Sequence, residues 1–255
     1  MTNEELAGQT EQEQSLAVAA EWVAAAKKIV VLTGAGISAE SGIPTFRDAQ
    51  TGFWAQYKPE DMASEKGYRT NPAMVWRWYE YRRELVAKVD PNAGHLALAE
   101  FEKRHPGAVT LATQNVDGLH QRAGSSDVLC LHGDLNTQKW LDTPRDCCYI
   151  EHAQAGDPPS CDVCGNMLRP AVVWFGEALP YKVFGRAQDA ASECDLMLVV
   201  GTAGAVYPAA GLANVAKRCG AKVVIVNPAP SGLDDVADLK IRGTAAAVLP
   251  RILAS

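Results

Sequence analysis

An apolar run that leads directly into two glycines is the feature of this sequence that most restricts its fold. The run Lys28–Thr33 is typical of a buried strand, and Gly34 and Gly36 follow it without a break. Glycine lets the backbone turn tightly and approach a pyrophosphate closely. With Ala39 in the third small position, the segment fits the G-x-G-x-x-G/A pattern of dinucleotide-binding loops. The pattern predicts a nucleotide site between a strand and a helix.

The helix after this loop is predicted to end early. Gly42 and Pro44 interrupt it, because proline cannot occupy a helix interior and moves Ile43 away from helical geometry. The chain then continues as a loop that carries Phe46 and Arg47. An aromatic ring and a guanidinium beside a dinucleotide indicate a cover over its reactive end, in contrast to a site for simple hydride transfer.

Short, continuous apolar runs alternate with helix-like segments along most of the chain. The predicted strands are Ile29–Leu32, Val109–Ala112, Val128–Leu131, Leu196–Val200 and Val223–Val226. The predicted helices include Ser15–Lys27, Asn92–Arg104 and Tyr207–Arg218. Continuous apolar runs are typical of parallel strands that are buried on both faces. We therefore predict an α/β fold with a doubly wound, Rossmann-like parallel sheet.

Two stretches interrupt this alternation and predict a smaller inserted domain that contains helices and cysteines. Residues 44–90 are rich in aromatic residues and arginine, whereas residues 136–170 contain clustered cysteines and several prolines. The Rossmann-like core then comprises approximately residues 15–43, 91–135 and 171–253. We expect residues 15–253 to form a single catalytic domain that includes both insertions.

Composition and charge exclude several functional classes. The net charge is −6, from 24 Lys and Arg against 30 Asp and Glu, which argues against nonspecific binding of nucleic acid. A membrane span needs about 18 or more consecutive apolar residues, and the sequence has no such run. Residues 1–15 are acidic and glutamine-rich, without the pattern of a secretory signal. We expect a cytoplasmic protein with no nucleic-acid or membrane partner. The sequence does not indicate the oligomeric state.

Polar side chains follow two of the predicted strands, at the edge where open α/β sheets bind ligands. Gln114, Asn115 and Asp117 can bind ribose hydroxyls and a carboxamide, although Asn and Asp before Gly118 also suit a tight turn. His132 can take a proton from a sugar hydroxyl near neutral pH, or it can be a structural histidine bonded to the backbone. The residues alone leave these alternatives open.

Tyr79 and Arg82 are spaced so that both side chains lie on one face of a helix. A tyrosine hydroxyl and the two-pronged guanidinium of arginine together suit a carboxylate ligand. The alternative is an amphipathic surface helix with solvated charges, because other arginines and glutamates surround the pair.

Six motifs, in order along the chain, make this sequence similar to the sirtuins, the NAD-dependent protein-lysine deacylases. They are GAGISAESGIPTFR at 34–47, TQNVDGLH at 113–120, LHG at 131–133, VWFGE at 173–177, GT at 201–202 and VNP at 226–228. The resemblance covers approximately residues 15–253, and six ordered motifs are far more specific than one glycine loop. It implies that NAD is consumed as a cosubstrate, with nicotinamide and O-acyl-ADP-ribose as products.

The resemblance also implies a role for each matching residue. His132 would be the catalytic base, Asn115 and Asp117 would approach the nicotinamide and its ribose, and Gln114 would contact the cofactor sugar. The implied cofactor-binding residues are Gly34, Ala35, Gly36, Ala39, Thr45, Phe46, Arg47, Gln114, Asn115, Asp117, Gly201, Thr202, Ala203, Asn227 and Ala245. The family usually has serine where this chain has Ala203, so one hydroxyl contact to phosphate is missing, and backbone N–H groups could serve there.

For the substrate, the resemblance implies an acylated lysine side chain of a protein. Segment 173–177 alone predicts a short strand, and in sirtuins the matching segment pairs with the substrate backbone, which assigns Val173, Phe175 and Gly176 to substrate binding. Tyr79 and Arg82 resemble the class III pair that binds the terminal carboxylate of succinyl-, malonyl- or glutaryl-lysine. The alternatives are a deacetylase, a mono-ADP-ribosyltransferase and an NAD-sensing binding module.

The cysteines depart from the family pattern. Sirtuins usually carry two C-x-x-C pairs, and this chain keeps only Cys161 and Cys164 in that spacing. Cys147 and Cys148 are near enough in sequence to complete a tetrahedral, structural zinc site. Adjacent side chains diverge, so a three-thiolate site or no metal are the alternatives.

Overall fold

The computed structural model describes residues 3–43 and 58–254. The strands are β1 (Ile29–Thr33), β2 (Val109–Thr113), β3 (Val128–Cys130), β4 (Gly133–Trp140), β5 (Leu168–Val172), β6 (Leu196–Val200), β7 (Lys222–Val226) and β8 (Leu239–Ile241). The α-helices are α1 (Asn3–Ala25), α2 (Pro59–Met62), α3 (Glu65–Thr70), α4 (Pro72–Ala87), α5 (Ala93–Arg104), α6 (Leu119–Ala123), α7 (Tyr181–Glu193), α8 (Gly211–Arg218) and α9 (Ala245–Ile252).

A six-stranded parallel sheet forms the centre of the molecule, in the order β3-β2-β1-β6-β7-β8. The strand order reverses between β1 and β6, where the first half of the chain meets the second. Ligands of doubly wound sheets bind at such a reversal, beyond the carboxyl ends of the strands. The predicted fold class is therefore confirmed.

Both faces of the sheet are covered, which explains the continuous apolar runs. Ile29 and Val31 of β1 pack with α1, α5 and α9 on one face, whereas Val30 and Leu32 pack with α7 and α8 on the other. All five residues of β1 are buried, as are all five of β6. Successive strand residues point to opposite faces, so only an uninterrupted apolar strand satisfies both cores.

A second, smaller region has its own apolar core. Helices α2, α3 and α4 pack against the antiparallel pair β4–β5, and the buried residues between them include Met62, Tyr68, Val75, Trp78 and Trp174. The ring centroids of Tyr68 and Trp174 are 5.1 Å apart. This region contributes one wall of the cavity described below.

The structure differs from the sequence prediction at two segments near this cavity. The helix predicted to start at Tyr207 begins at Gly211, because Pro208 disfavours helical geometry in the residue before it. Segment 173–177 is not a strand: β5 ends at Val172, and Glu177 N–H donates to the Trp174 carbonyl across a turn at 3.0 Å. Gly176 has a φ of +87° in this turn, which glycine adopts without strain.

Two further differences from the sequence prediction concern the start of helix α1 and the presence of strand β8. Helix α1 begins at Asn3, well before the predicted start at Ser15, and its added part contains Glu and Gln, which are good helix formers. Strand β8 was not predicted, because it has only three residues and includes the exposed Lys240. Within the described residues, none of the helices is both long and apolar enough to cross a bilayer.

Candidate active site

The glycine loop lies directly on the end of β6. The Gly36 N–H donates to the Gly201 carbonyl at 2.7 Å, and a Cβ at Gly36 would stand 2.7 Å from the Gly201 Cα. A Cβ at Gly34 would stand equally close, 2.7 Å, to the Thr202 Cβ. These glycines are therefore required for contact between two loops of the protein, in addition to any approach of a ligand.

Two 3-10 helices, Ala35–Ile37 and Ala39–Ser41, follow the first glycine in place of an α-helix. The second one ends at Gly42, whose φ is +87°. The early end of the helix agrees with the sequence prediction, but the α-helical N-terminus expected to face a phosphate is absent from residues 34–43. The predicted cover residues Phe46 and Arg47, and the predicted cofactor residue Thr45, lie outside the described residues.

Ser38 connects the glycine loop to the polar residues that follow β2. Its hydroxyl donates to Asp117 Oδ2 at 2.8 Å and accepts from Asn115 Nδ2 at 3.1 Å. Asn115 Nδ2 also donates to the Gly34 carbonyl at 3.1 Å, and the Leu119 N–H donates to Asp117 Oδ1 at 2.9 Å. Asp117 is buried, and each of its carboxylate oxygens accepts one of these hydrogen bonds; the bond from the Leu119 N–H agrees with the turn role considered for it.

Two buried histidines that the sequence did not single out lie beneath this network. Asn92 N–H donates to His95 Nδ1 at 3.4 Å, so His95 Nε2 carries the hydrogen that faces Ser38 Oγ at 3.4 Å. His120 Nε2 lies 2.9 Å from the Thr33 hydroxyl, and the two imidazole rings are 4.9 Å apart. Burial lowers the pKa of His95 to about 4 and that of His120 to about 3, so both are neutral near pH 7.

His132 follows β3 and has one ring nitrogen committed to the backbone. Its Nδ1 lies 3.0 Å from the Gln114 carbonyl oxygen, which can only accept, so Nδ1 carries the hydrogen. Nε2 then has a free lone pair. Burial lowers the pKa of His132, and the hydrogen bond to Gln114 opposes this shift only in part. The structure therefore holds a neutral imidazole with one nitrogen able to accept a proton.

A cavity of about 470 Å³ lies between this edge of the sheet and the smaller region. The predicted site residues that line it are Ala35, Tyr79, Arg82, Gln114, Asn115, Asp117, His132, Val173, Phe175 and Gly176. Most of the remaining lining is apolar, with Ile43, Leu85, Val86 and Val116 among it. The structure thus brings together residues from four motifs that are far apart in sequence.

The other described cofactor residues of the prediction lie outside the lining of this cavity. Gly34, Gly36 and Ala39 belong to the glycine loop after β1. Gly201, Thr202 and Ala203 follow β6, Asn227 follows β7, and Ala245 begins α9 after β8. Thr202 Oγ1 donates to Gln114 Oε1 at 3.3 Å, which links the two groups of residues. All of them follow carboxyl ends of neighbouring parallel strands, and so they continue the same edge of the sheet.

Tyr79 and Arg82 form the wall of the cavity opposite the sheet. Tyr79 is buried, and Arg82 is partly buried with its guanidinium carbon 5.0 Å from the Trp78 ring centroid. Burial lowers the pKa of Arg82, and the neighbouring Tyr79 and Asp117 raise it. Burial raises the pKa of Tyr79 to about 12, so its hydroxyl keeps its hydrogen at neutral pH. These two side chains are not part of a solvated helix face, unlike the exposed Arg77.

Comparison with known proteins identifies the family of this chain. A profile of the Sir2 family matches residues 34–208. The chain is 57% identical over 233 residues to a Ralstonia nicotianae protein named NAD-dependent protein deacylase, with 91% of this chain and 94% of that protein covered. The chain belongs to the Sir2 family. A second relative, NAD-dependent protein deacylase 2 of Pyrobaculum aerophilum, is 48% identical over 92% of this chain and 93% of its own length.

Solved Sir2 structures have the same fold. A Sir2 homologue in complex with NAD is 40% identical and superposes with a TM-score of 0.82, over 95% of this chain and 92% of that one. A Sir2 complex with a p53 peptide and NAD⁺ is 33% identical, with a TM-score of 0.78 over 92% and 95% of the two chains. The family resemblance drawn from the six motifs is therefore confirmed.

The Sir2-family chain also brings its four clustered cysteines together. The thiol sulfurs of Cys147, Cys148, Cys161 and Cys164 all lie within 4.8 Å of one another, and those of Cys148 and Cys164 are 3.6 Å apart. Zinc–sulfur bonds of about 2.3 Å in a tetrahedron place the sulfurs about 3.8 Å apart. The four thiols fit a zinc ion, and the adjacent Cys147 and Cys148 do not prevent all four from converging.

We expect the purified protein to contain about one zinc ion per chain, because four converging thiolates leave no open position and bind zinc tightly. Metal analysis measures the content directly. Cys148→Ser should lower both the zinc content and the thermal midpoint of unfolding, whereas Cys219→Ser, at an exposed cysteine away from the cluster, should change neither. Full zinc content in Cys148→Ser would instead indicate a three-thiolate site.

Proposed function

We propose that this NAD-dependent protein deacylase of the Sir2 family removes succinyl, malonyl or glutaryl groups from lysine side chains of proteins. The observation that supports this substrate class is the presence of Arg82 and Tyr79 in the same cavity as His132. One acyl-lysine could then place its amide group near His132 and the far end of its acyl chain near Tyr79 and Arg82. The other lining residues between them are mainly apolar and suit the methylene groups of an acyl chain.

The charge of Arg82 favours an acyl group that ends in a carboxylate. In a cavity whose lining is mainly apolar, a carboxylate would form paired, charge-assisted hydrogen bonds with the guanidinium, and such bonds are stronger where water is largely excluded. The hydroxyl of Tyr79 remains protonated and can donate to the same carboxylate. The methyl group of an acetyl-lysine offers neither side chain an acceptor.

NAD would bind along the carboxyl edge of the sheet, with its nicotinamide end towards the cavity. We assign the glycine loop, Gly201–Ala203, Asn227 and Ala245 to the cofactor on the strength of the family and of this shared edge. Bound NAD would supply the ribose carbon that the acyl oxygen attacks as nicotinamide leaves. The backbone of 201–203 would have to serve the phosphates where Ala203 lacks a hydroxyl.

The protein groups would then perform two tasks at the ribose. His132 Nε2 would accept a proton from a ribose hydroxyl, because Nδ1 is bonded to the Gln114 carbonyl. Asn115 and Asp117 would bind the nicotinamide and its ribose, and Ser38 fixes both of their side chains in place. This arrangement of a base and fixed polar groups supports an enzyme over an NAD-sensing module.

Val173, Phe175 and Gly176 would contact the substrate backbone at the cavity mouth. Val173 N–H is held by the His132 carbonyl and Phe175 N–H by the Ala63 carbonyl, both at 2.8 Å. The segment is therefore fixed between the sheet and the smaller region, and the Phe175 side chain is exposed at its turn. Contacts to main-chain atoms would allow many protein sequences to bind.

Deacylation should remain active below the ordinary histidine pKa. A base works only in its neutral form, and burial places the pKa of His132 below 6.5, so protonation should reduce kcat/KM only at more acidic pH. The pH profile of kcat/KM with a succinyl-lysine peptide measures this midpoint. His132→Ala should abolish most of the activity. A midpoint above 6.5, or full activity of His132→Ala, would contradict the assignment of His132 as the base.

Replacement of Arg82 should remove the preference for acidic acyl groups. We expect Arg82→Met to lower kcat/KM for a succinyl-lysine peptide by about 10- to 100-fold, the worth of a charged hydrogen-bonded pair, and to affect a matched acetyl-lysine peptide less. Arg77→Met provides the control, since Arg77 is an exposed arginine on the same helix and outside the cavity. The proposal would be contradicted if the wild-type protein preferred the acetyl-lysine peptide, or if the Arg82→Met variant kept the preference for the succinyl-lysine peptide.

A further inference from the structure

The hydroxyl of Tyr79 accepts a hydrogen bond from the side chain of Trp174, a contact that no sequence motif predicts. Trp174 Nε1 donates to Tyr79 Oη at 2.9 Å, and both side chains are buried. Trp174 follows β5, whereas Tyr79 lies in α4, 95 residues earlier. The hydrogen bond therefore joins the two walls of the smaller region at the cavity, which both residues line.

This hydrogen bond limits the further hydrogen bonds that the Tyr79 hydroxyl can form. A phenol has one hydrogen to donate, and the indole N–H takes up one of its acceptor positions. Among residues 3–43 and 58–254, no protein acceptor bonds to the Tyr79 hydrogen. The hydrogen must point away from the indole, and the cavity that Tyr79 lines is where an acceptor can reach it.

Trp174 is itself held in position by an ion pair between the buried Arg169 and the partly buried Glu177. The guanidinium of Arg169 lies 3.2 Å from the Trp174 ring centroid and donates to Glu177 Oε2 at 3.1 Å. Glu177 Oε2 also accepts the Trp174 backbone N–H at 2.8 Å. Burial raises the pKa of Glu177, but the bonds from Arg169 and Trp174 outweigh it and keep the group a carboxylate. The plane and direction of the indole are thus fixed on two sides.

We propose that Trp174 is a specificity-determining residue, which positions the Tyr79 hydroxyl as a donor to the terminal carboxylate of the acyl group. The proposal rests on the function proposed above. It adds to the recognition of the carboxylate a residue outside the Tyr79–Arg82 pair and outside the chemistry assigned to His132.

Two physical effects support this role. An oxygen that accepts a hydrogen bond becomes a stronger donor, because chains of hydrogen bonds polarise one another in a medium of low dielectric constant. The occupied acceptor position also prevents the O–H bond from rotating towards the indole. A substrate carboxylate then meets a preoriented donor, and less conformational freedom is lost on binding.

Trp174→Phe tests the proposal, because phenylalanine retains an aromatic ring against Arg169 and removes the N–H donor, together with the second ring of the indole. We expect the ratio of kcat/KM for succinyl-lysine to that for acetyl-lysine to fall about 3- to 10-fold, mainly through a higher KM for the succinyl peptide. Trp76→Phe makes the same substitution in α4 outside the cavity and should leave the ratio unchanged. Benzothienylalanine at position 174 replaces N–H with sulfur at nearly equal volume, and serves if Trp174→Phe folds poorly.

The double variant with Tyr79→Phe separates orientation from general packing. In the Tyr79→Phe background the hydroxyl is gone, so Trp174→Phe should have no further effect on the ratio. An equal loss for both peptides, an unchanged ratio, or additive effects of the two substitutions would overturn the role of Trp174. Absence of any succinyl preference in the wild type would instead overturn the proposed function, so the two failures are distinguishable.

Discussion

A contact between two stretches of backbone underlies the arrangement of this site. The loop after β1 can rest on the end of β6 only because Gly36 and Gly201 have no side chains between them. This contact carries Ser38 to the polar residues that follow β2, where it joins Asn115 to Asp117. The glycine pattern is therefore needed to assemble the protein's own polar network, in addition to any approach of a phosphate.

The electrostatic environment differs between the two sides of the cavity. On the sheet side, buried histidines are held neutral and the polar groups bond mainly to one another. On the opposite side, a guanidinium and a protonated tyrosine face mainly apolar lining. In the proposed function, reaction chemistry would depend on the sheet edge, and substrate selection on α4 and the segment after β5, so that each could be altered independently.

The sequence predicts the features that have a local signal. Buried parallel strands produce continuous apolar runs, and five of the six sheet strands were predicted from them. Strand β8 lacks such a run, and Pro208 displaced the start of α8. His132 and Asn115 were candidates because they follow strand ends, and their predicted roles came from the family resemblance; both residues line the cavity.

Contacts between distant segments could not be predicted in the same way. Ser38, His95 and His120 take their places in the polar network through tertiary bonds that span 57 to 87 residues. The Trp174–Tyr79 bond is a similar case, since nothing near either residue indicates the other. The convergence of Cys147 and Cys148 with the later pair also depended on tertiary structure, because their adjacency alone suggested divergence.

In the proposed function, Arg82 would select the acyl group by its charge and not by its shape. The most direct measurement compares kcat/KM for a succinyl-lysine peptide with that for the same peptide carrying the uncharged monoamide, which has nearly the same size. We expect the carboxylate to be favoured by at least about 10-fold, because only a carboxylate forms an ion pair with the guanidinium. Equal or better turnover of the amide would contradict it.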